Sequence, residues 1–409
     1  MRFKYRLGLT FAAAVLNLVC SSSSDARPEY ATKEKANCVA CHANPWGGGP
    51  RNVFGKVYGS HGFNPAKTSS LDLYYADVRF IDYLPTTKTT QRPNGLALME
   101  AAVTGNVSII QGEGGSEMRG VLTYNMSPLA GSQVREAYLR FQLATEGAAI
   151  PTYFMVGRFY VPFGLLTDEH RTYTRLQTNS MFNNYDVGGA ISWNFNPDWH
   201  GDFALVNDFQ TGGNFTAADL TLGAVLNTRW NPRQLPFLLG ISGNFQKTTK
   251  FPQPFAISEY GVLSFDRLTQ NKISANLSLE AVEALNWNNP TLNNGQINPG
   301  LATFFTPGGS TDPYIRSIAY KQSRGYYALF KYNLTHVWTP FYKLDYINLD
   351  TGSESNQFLR HGFGVEAYLN SNLILNVRYE YAYVARPEIV DTNVLATQTD
   401  IFAMLRFWM

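Results

Sequence analysis

Two cysteines and a histidine form the chemically most specific motif of the chain. Cys38 and Cys41 are three positions apart and His42 follows at once, which gives the C-x-x-C-H pattern of covalent haem attachment. The two thiols of such a motif add across the vinyl groups of one haem, and the adjacent imidazole reaches the iron as its proximal ligand. A structural disulfide would leave the histidine unexplained, and a zinc site would need a second cysteine pair, which the chain lacks. The motif therefore predicts one covalent haem c.

The distal side of the iron is less defined by the sequence. His61 lies nineteen positions after His42, and a second imidazole ligand would suit electron transfer. His61 could also be an ordinary polar residue of a Gly-flanked turn, with Met99, Met118 or Met126 as other ligand candidates. A vacant sixth position would instead favour peroxidase-like chemistry. His61 is the first candidate for the distal ligand.

The first residues of the chain have the features of an export signal. Positive charges precede the apolar run 7–19, and small residues follow it, which predicts a cleaved signal peptide over residues 1–26. The apolar run is too short to span a bilayer. Cleavage would remove Cys20, so that both remaining cysteines of the exported chain are available for haem.

Composition excludes one class of partner and favours one class of fold. The chain has 409 residues and a net charge of +2, from 33 basic and 31 acidic residues, so it lacks the basic footprint of a nucleic-acid-binding protein. Aromatic residues reach 14%. No segment after residue 26 is apolar for long enough to be a membrane helix. Together with export, these features indicate an all-β, outer-membrane barrel in contact with lipid.

Residues 27–70 form the predicted haem segment. Residues 32–43 have helical character and contain the motif, and a second short helix is expected after Pro50. A segment of this size cannot both bury a haem and form its own core, so another part of the chain must cover some of the haem. The segment is expected on the periplasmic side of the barrel or inside its lumen.

Residues 71–409 show the period-two alternation of a transmembrane antiparallel β-barrel. In residues 373–384, aliphatic and aromatic side chains alternate with Arg378 and Glu380, and Glu136 and Arg140 occupy the equivalent polar face earlier in the chain. A soluble β-sandwich, with the polar face outside, is the alternative; aromatic residues clustered at the ends of the apolar faces favour the barrel. Sixteen runs are predicted, beginning near Val78, Leu96, Glu117, Gln133, Thr152, Tyr185, Trp199, Asp219, Pro236, Ile257, Lys272, Gly325, Val337, Gln357, Leu373 and Thr399.

The connections between these runs alternate in length. Short turns such as 196–198 and 370–372 alternate with long loops such as 164–184 and 287–322, as in outer-membrane barrels whose short turns are periplasmic. The long loop after the fifth run contains Asp168-Glu169-His170, whose hard ligands could hold Fe(II) at the extracellular mouth or could simply be a solvated, charged loop.

An export signal, a single C-x-x-C-H unit and a C-terminal barrel of about sixteen strands resemble the fused outer-membrane cytochrome–porins. The best known of these are iron oxidases of neutrophilic and acidophilic iron-oxidising bacteria. The residues that carry the resemblance are Cys38, Cys41 and His42. It implies an electron-transfer oxidoreductase that moves single electrons between an extracellular donor or acceptor, with Fe(II) as one candidate, and periplasmic electron carriers. The alternatives are a diffusion porin whose haem segment is a plug or sensor, and a peroxidase-like enzyme.

Overall fold

The computed structural model describes most of the C-terminal part of the chain and two residues before it. The described residues are 41–42, 74–85, 95–112, 116–127, 131–143, 152–166, 172–178, 185–196, 198–207, 222–247, 253–270, 272–286, 322–335, 337–348, 351, 357–370, 373–384 and 397–408.

Sixteen antiparallel strands form one closed barrel, in which each strand pairs with its sequence neighbours and the last strand pairs with the first. Two short helices, α1 (Tyr173–Gln177) and α2 (Phe265–Leu268), lie in connections. The strands are β1 Tyr74–Pro85, β2 Gly95–Gln111, β3 Glu117–Ser127, β4 Gly131–Gln142, β5 Tyr153–Tyr160, β6 Tyr185–Asn196, β7 Trp199–Asn207, β8 Leu222–Trp230, β9 Phe237–Lys247, β10 Phe255–Ser264, β11 Ala275–Leu285, β12 Gln322–Tyr332, β13 Trp338–Asn348, β14 Gln357–Asn370, β15 Leu373–Val384 and β16 Thr397–Trp408.

The predicted all-β barrel of about sixteen strands is confirmed. Each of the sixteen predicted runs corresponds to a strand, and the largest difference is at β1, which begins at Tyr74 rather than near Val78. The predicted helical haem segment is not confirmed. Cys41 lies in a turn and His42 makes a single β-type backbone pairing, so the helix predicted over 32–43 does not include them. The other residues of the predicted segment lie outside the described part of the chain.

The outer face of the barrel is apolar and the inner face is polar, which excludes the soluble β-sandwich. On β15, Val377 and Tyr379 are exposed on the outside, whereas Arg378 and Glu380 are buried on the inside. The predicted inward positions Glu136 and Arg140 on β4 are also buried. The same division holds around the barrel, because successive side chains of a strand point to opposite faces. A water-exposed sandwich would present the opposite pattern.

Aromatic side chains concentrate near both ends of the outer face. Trp199 and Trp230 stack with ring centroids 5.9 Å apart at the end where the chain makes short turns, and Tyr326 and Tyr346 lie 5.7 Å apart towards the other end. Along β13, Trp338 and Tyr346 are eight residues apart, which is about 26 Å along the strand. A strand tilt of roughly 40° reduces this to about 20 Å, close to the apolar band of outer-membrane barrels. Among the described residues, no helix has the length and apolarity needed to cross a membrane.

The alternation of connection lengths is also observed. The connections from an even-numbered strand to the next strand include turns such as 197–198, 333–337 and 371–372. Those at the other end include 161–184 and 286–321, with the β3–β4 connection at 128–130 as a short exception. The connections 143–152 and 265–274 are the longest at the first end. β1 begins and β16 ends at the short-turn end, so both ends of the barrel sequence meet there.

The apolar outer belt gives a depth-dependent prediction. Val377→Arg places a charge near the middle of the belt and is expected to destabilise the barrel by about 2–4 kcal/mol, whereas Leu222→Arg, at the first residue of β8, should cost about 0–1 kcal/mol. Equilibrium unfolding of the two variants from lipid vesicles measures both losses in the free energy of unfolding. Equal costs at the two depths would contradict an outer face embedded in hydrocarbon.

Candidate functional site

A network of ion pairs on the inner face joins the last strand to the first. Asp77 accepts hydrogen bonds from Arg79 Nη2 (2.8 Å) and from Arg406 Nη2 (2.7 Å). Arg79 Nε lies 3.2 Å from Glu100 on β2, and Glu100 also pairs with Arg135 on β4. The register explains this, because Arg79 lies directly opposite Arg406 on one side and Glu100 on the other. The network therefore spans the seam at which the barrel closes.

A second network lies on the inner face of β13, β14 and β15. Lys343 is fully buried, and its Nζ donates to Glu380 at 2.7 Å and lies 3.3 Å from Asp345. Arg360 Nη2 donates to Asp345 at 2.8 Å, and Arg378 Nε lies 3.3 Å from Glu380. Buried charges are tolerated only when they are paired and hydrogen-bonded, and this network meets that condition with both signs of charge.

The chain after β5 folds into the barrel. Residues 161–166 are buried, and so are the described side chains of residues 172–178. The Gly164 N–H donates to Ser242 Oγ at 2.8 Å, and the Leu165 N–H donates to Glu280 Oε1 at 2.8 Å. Ser242 and Glu280 are in the middle of β9 and β11, so these residues lie in the interior at about half height. We call residues 161–166 together with residues 172–178 the in-folded segment.

Glu280 is the main acceptor for the in-folded segment. Arg175 Nη2 donates to Glu280 Oε1 at 2.6 Å, and a second guanidinium nitrogen donates to the Phe163 carbonyl. Thr174 Oγ1 donates to Glu280 Oε2 at 3.0 Å. Gly164 has φ +64°, and a Cβ atom at this position would collide with Glu280 and Arg175. One carboxylate thus holds both the first turn of the segment and α1.

Much of the barrel wall beneath the in-folded segment is made of small, uncharged residues, with Glu280 as a charged exception. Phe159, Val161, Phe163 and Leu166 pack against a wall formed by Ala204, Val206, Val225, Ala256, Val282 and Ala284. On its other side the segment reaches β12 and β13, where Leu165 packs with Tyr327, Leu329 and Phe341. Arg360 of the second network also contacts the segment, since its guanidinium lies 4.5 Å from the Tyr173 ring centroid in α1. The segment therefore lies between a wall of small residues and the β13–β15 network.

A third polar cluster lies towards the short-turn end, on β6, β7 and β8. His200 Nε2 lies 2.7 Å from Asp202 Oδ1 and 3.2 Å from Ser192 Oγ, and Arg229 donates to Asp202 at 3.0 Å. Although the residue types match a hydrolase triad, one ring nitrogen contacts both partners. A relay needs the serine and the carboxylate on different nitrogens, so this cluster is structural.

The sequence-predicted haem ligands are only partly described. Cys41 is half-buried and His42 is buried, with 7% of its surface exposed. Cys38 and His61 lie outside the described residues. Met126, one of the other distal candidates, is 49% exposed on the outer face of β3, which points it away from the interior.

Asp168-Glu169-His170 also lies outside the described residues. The residues on both sides of it, 161–166 and 172–178, are inside the barrel rather than at its outer rim. Within the described part of the chain, no group of three or more His, Cys, Asp or Glu side chains could hold a metal ion.

Sequence reasoning missed the residues that anchor the in-folded segment. Gly164, Arg175 and Glu280 come from distant parts of the chain, and Glu280 is 105 positions after Arg175. A signal was present in Phe163-Gly164-Leu165-Leu166, which is unusually apolar for an exposed loop.

The barrel resembles solved structures of outer-membrane proteins. The outer membrane channel DcaP of Acinetobacter baumannii has a TM-score of 0.55 and 9% identity, covering 84% of this chain and 100% of DcaP. Salmonella typhi OmpF, in complex with daunomycin, has a TM-score of 0.57 and 10% identity, covering 82% of this chain and 97% of OmpF. An anion-selective porin from Comamonas acidovorans has a TM-score of 0.50 and 10% identity, covering 82% of this chain and 98% of that porin. At these identities the likeness concerns the fold, which is that of the outer-membrane porins. No family model matches the chain, and no curated protein matches it.

Removal of the anchor should release the in-folded segment. Glu280→Gln loses a charged hydrogen bond worth about 1.5–3 kcal/mol, so cleavage by trypsin at the buried Arg175 should become roughly ten-fold faster or more. Glu366→Gln is the matched control, because Glu366 is a buried inward carboxylate that pairs with Lys331. Mass spectrometry of the fragments identifies the cleavage site. Equal protection of Arg175 in all three proteins would refute the anchoring role of Glu280.

Proposed function

We propose that this chain is a channel of the Gram-negative outer membrane that passes small hydrophilic solutes. The observation that carries the proposal is a closed sixteen-strand barrel, apolar outside and polar inside, that is narrowed at half height by the in-folded segment. A barrel of this strand number is wide enough to enclose an aqueous channel. Its closure leaves no unpaired strand edge for lipid to solvate.

The orientation follows from the connection lengths. Short turns of outer-membrane barrels face the periplasm and long loops face the outside. The short-turn end, where β1 begins and β16 ends, is therefore the periplasmic end. The haem segment, which precedes β1, would then lie on the periplasmic side or enter the lumen from there.

The selectivity of the channel would depend on its size more than on a net charge. The inward cations Arg79, Arg406, Lys343 and Arg360 each contact a carboxylate. Anion selectivity, which names the Comamonas acidovorans porin, is therefore not part of the proposal for this chain. The cross-section of the lumen that the in-folded segment leaves open would set the size limit.

Conductance in planar lipid bilayers tests the channel. We expect discrete conductance steps for the native protein and larger or noisier steps for Glu280→Gln, because a loosened segment obstructs the lumen less. The Glu366→Gln control should retain the native step size. If none of the three proteins conducts, diffusion through the lumen is not the function.

The C-x-x-C-H motif favours a second function, which we propose alongside the first. Cys38 and Cys41 would hold one haem c through thioether bonds, His42 would be its proximal ligand and His61 the distal ligand. Among the described donors, the half-buried thiol of Cys41 and the buried imidazole of His42 are chemically suited to this role. The bound haem would supply one-electron redox chemistry. The chain would then exchange electrons with periplasmic carriers and with an extracellular donor or acceptor, for which Fe(II) is one candidate.

Covalent haem attachment can be tested directly in a host able to attach haem c. We expect the native protein and His61→Ala to keep a covalent haem on a denaturing gel, and Cys38→Ala/Cys41→Ala to lose it completely.

Stopped-flow mixing with Fe(II), followed in the Soret band, then tests whether Fe(II) is the electron donor. Absence of covalent haem in the native protein would refute the electron-transfer proposal and leave the channel proposal standing. If the haem exchanges electrons with a periplasmic cytochrome but not with Fe(II), only iron oxidation is refuted.

A further inference from the structure

Three buried oxygen atoms near the short-turn end of the barrel have no hydrogen-bond partner among the residues that the structure describes. They are Ser264 Oγ at the end of β10, Asp266 Oδ2 in α2 and Asn276 Oδ1 at the start of β11. Their residues are 0%, 4% and 5% exposed. A buried polar atom without a partner is destabilising, and more so when the group is charged, so three of them in one hairpin require an explanation.

The register brings two of these residues face to face. Ser264 and Asn276 are directly opposite across β10 and β11, and both lie on the inner face. The Ser264 N–H donates to the Pro236 carbonyl on the other side of the strand, at 2.7 Å. Ser264 and Asn276 therefore form a non-hydrogen-bonded pair, in which the Cα atoms are about 4.5 Å apart and the side chains are close.

Asp266 turns towards the same interior. Phe265, its neighbour in α2, contacts Phe330 from the outer face of β12, with ring centroids 6.2 Å apart. Asp266 is the buried residue of α2. It is two positions after Ser264, so its carboxylate lies at the same end of the hairpin as the Ser264–Asn276 pair.

The cationic side chains near Asp266 in sequence and register bind other groups. Lys331 is opposite Asn276 on β12, but its Nζ donates to Glu366 at 2.7 Å. Arg267, next in sequence, donates to the Arg233 carbonyl at 2.6 Å. Among the described residues, no ion pair includes Asp266. A buried carboxylate without an ion-pair partner is unfavourable, and a bound cation would offset that cost.

We propose that Ser264, Asp266 and Asn276 form a Ca²⁺ site at the short-turn end of the lumen. A carboxylate, an amide carbonyl and a hydroxyl are hard oxygen ligands of the kind that Ca²⁺ prefers, and water would complete its flexible coordination shell. With a single carboxylate the affinity should be weak, about 10⁻⁴–10⁻³ M, as in extracellular calcium modules. Asn276 is four residues from Glu280 on β11, which is about 13 Å along the strand, so the site is separate from the anchor of the in-folded segment.

Calorimetric titration with CaCl₂ tests the site on the full chain, purified in a zwitterionic detergent after treatment with a chelator. We expect one Ca²⁺ per native chain and at least ten-fold weaker binding by Asp266→Asn. Glu117→Gln is the matched control, since Glu117 is also an inward carboxylate near the short-turn end and already pairs with Arg119 at 2.9 Å. Ca²⁺ should raise the unfolding temperature of the native protein and of Glu117→Gln, but not that of Asp266→Asn.

Two results would overturn the proposal. One is the absence of calcium binding by the native protein up to about 10 mM, above the affinity expected for such a site. The other is undiminished binding by Asp266→Asn, which would place the ion elsewhere. If Asp266→Asn does not fold, Asn276→Ala replaces it, and weaker calcium binding by that variant supports the site while native affinity refutes it. None of these results depends on whether the lumen conducts or whether haem is attached.

Discussion

The structure depends on one requirement, that the first and last strands pair with each other. A sheet surrounded by hydrocarbon has no water to satisfy the backbone groups of an open edge, so each strand needs two neighbours. The pairing of β1 with β16 meets this requirement. On the inner face of the same seam, Asp77 binds Arg406, so that a buried ion pair joins the two terminal strands.

Closure also determines how the interior can be used. Inward side chains from sixteen strands converge on a space too wide for them to fill alone. The chain meets this in two ways, with networks of paired charges on the wall and with a folded-in connection. The second solution works because the wall beneath the in-folded segment carries small residues such as Ala204 and Ala256, which leave room for Phe163. The two features are linked, because the Arg175–Glu280 ion pair holds the segment and Arg360 contacts Tyr173.

The strands and their faces could be predicted from the sequence because period-two alternation is a local property. The alternation of their neighbours alone predicts Arg378 and Glu380 on the inner face, and the structure confirms both positions. The in-folded segment could not be predicted in this way, since Gly164 and Arg175 meet Glu280 only after the barrel has brought β11 beside them. The haem motif is local and specific, but Cys38 and His61 lie outside the described residues. Haem attachment therefore stays a prediction that the fold neither requires nor excludes.

The pairing of Asp77 with Arg406 also has a consequence for biogenesis. The two residues are 329 positions apart, so the contact has one of the largest sequence separations that the chain allows. Contacts between such distant residues form late and slowly, because the intervening chain must first be brought together. The partners of β1 at the short-turn end, from Leu405 to Trp408, are the last residues of β16. The ring of strands can therefore close at this end only when β16 is in place over its whole length.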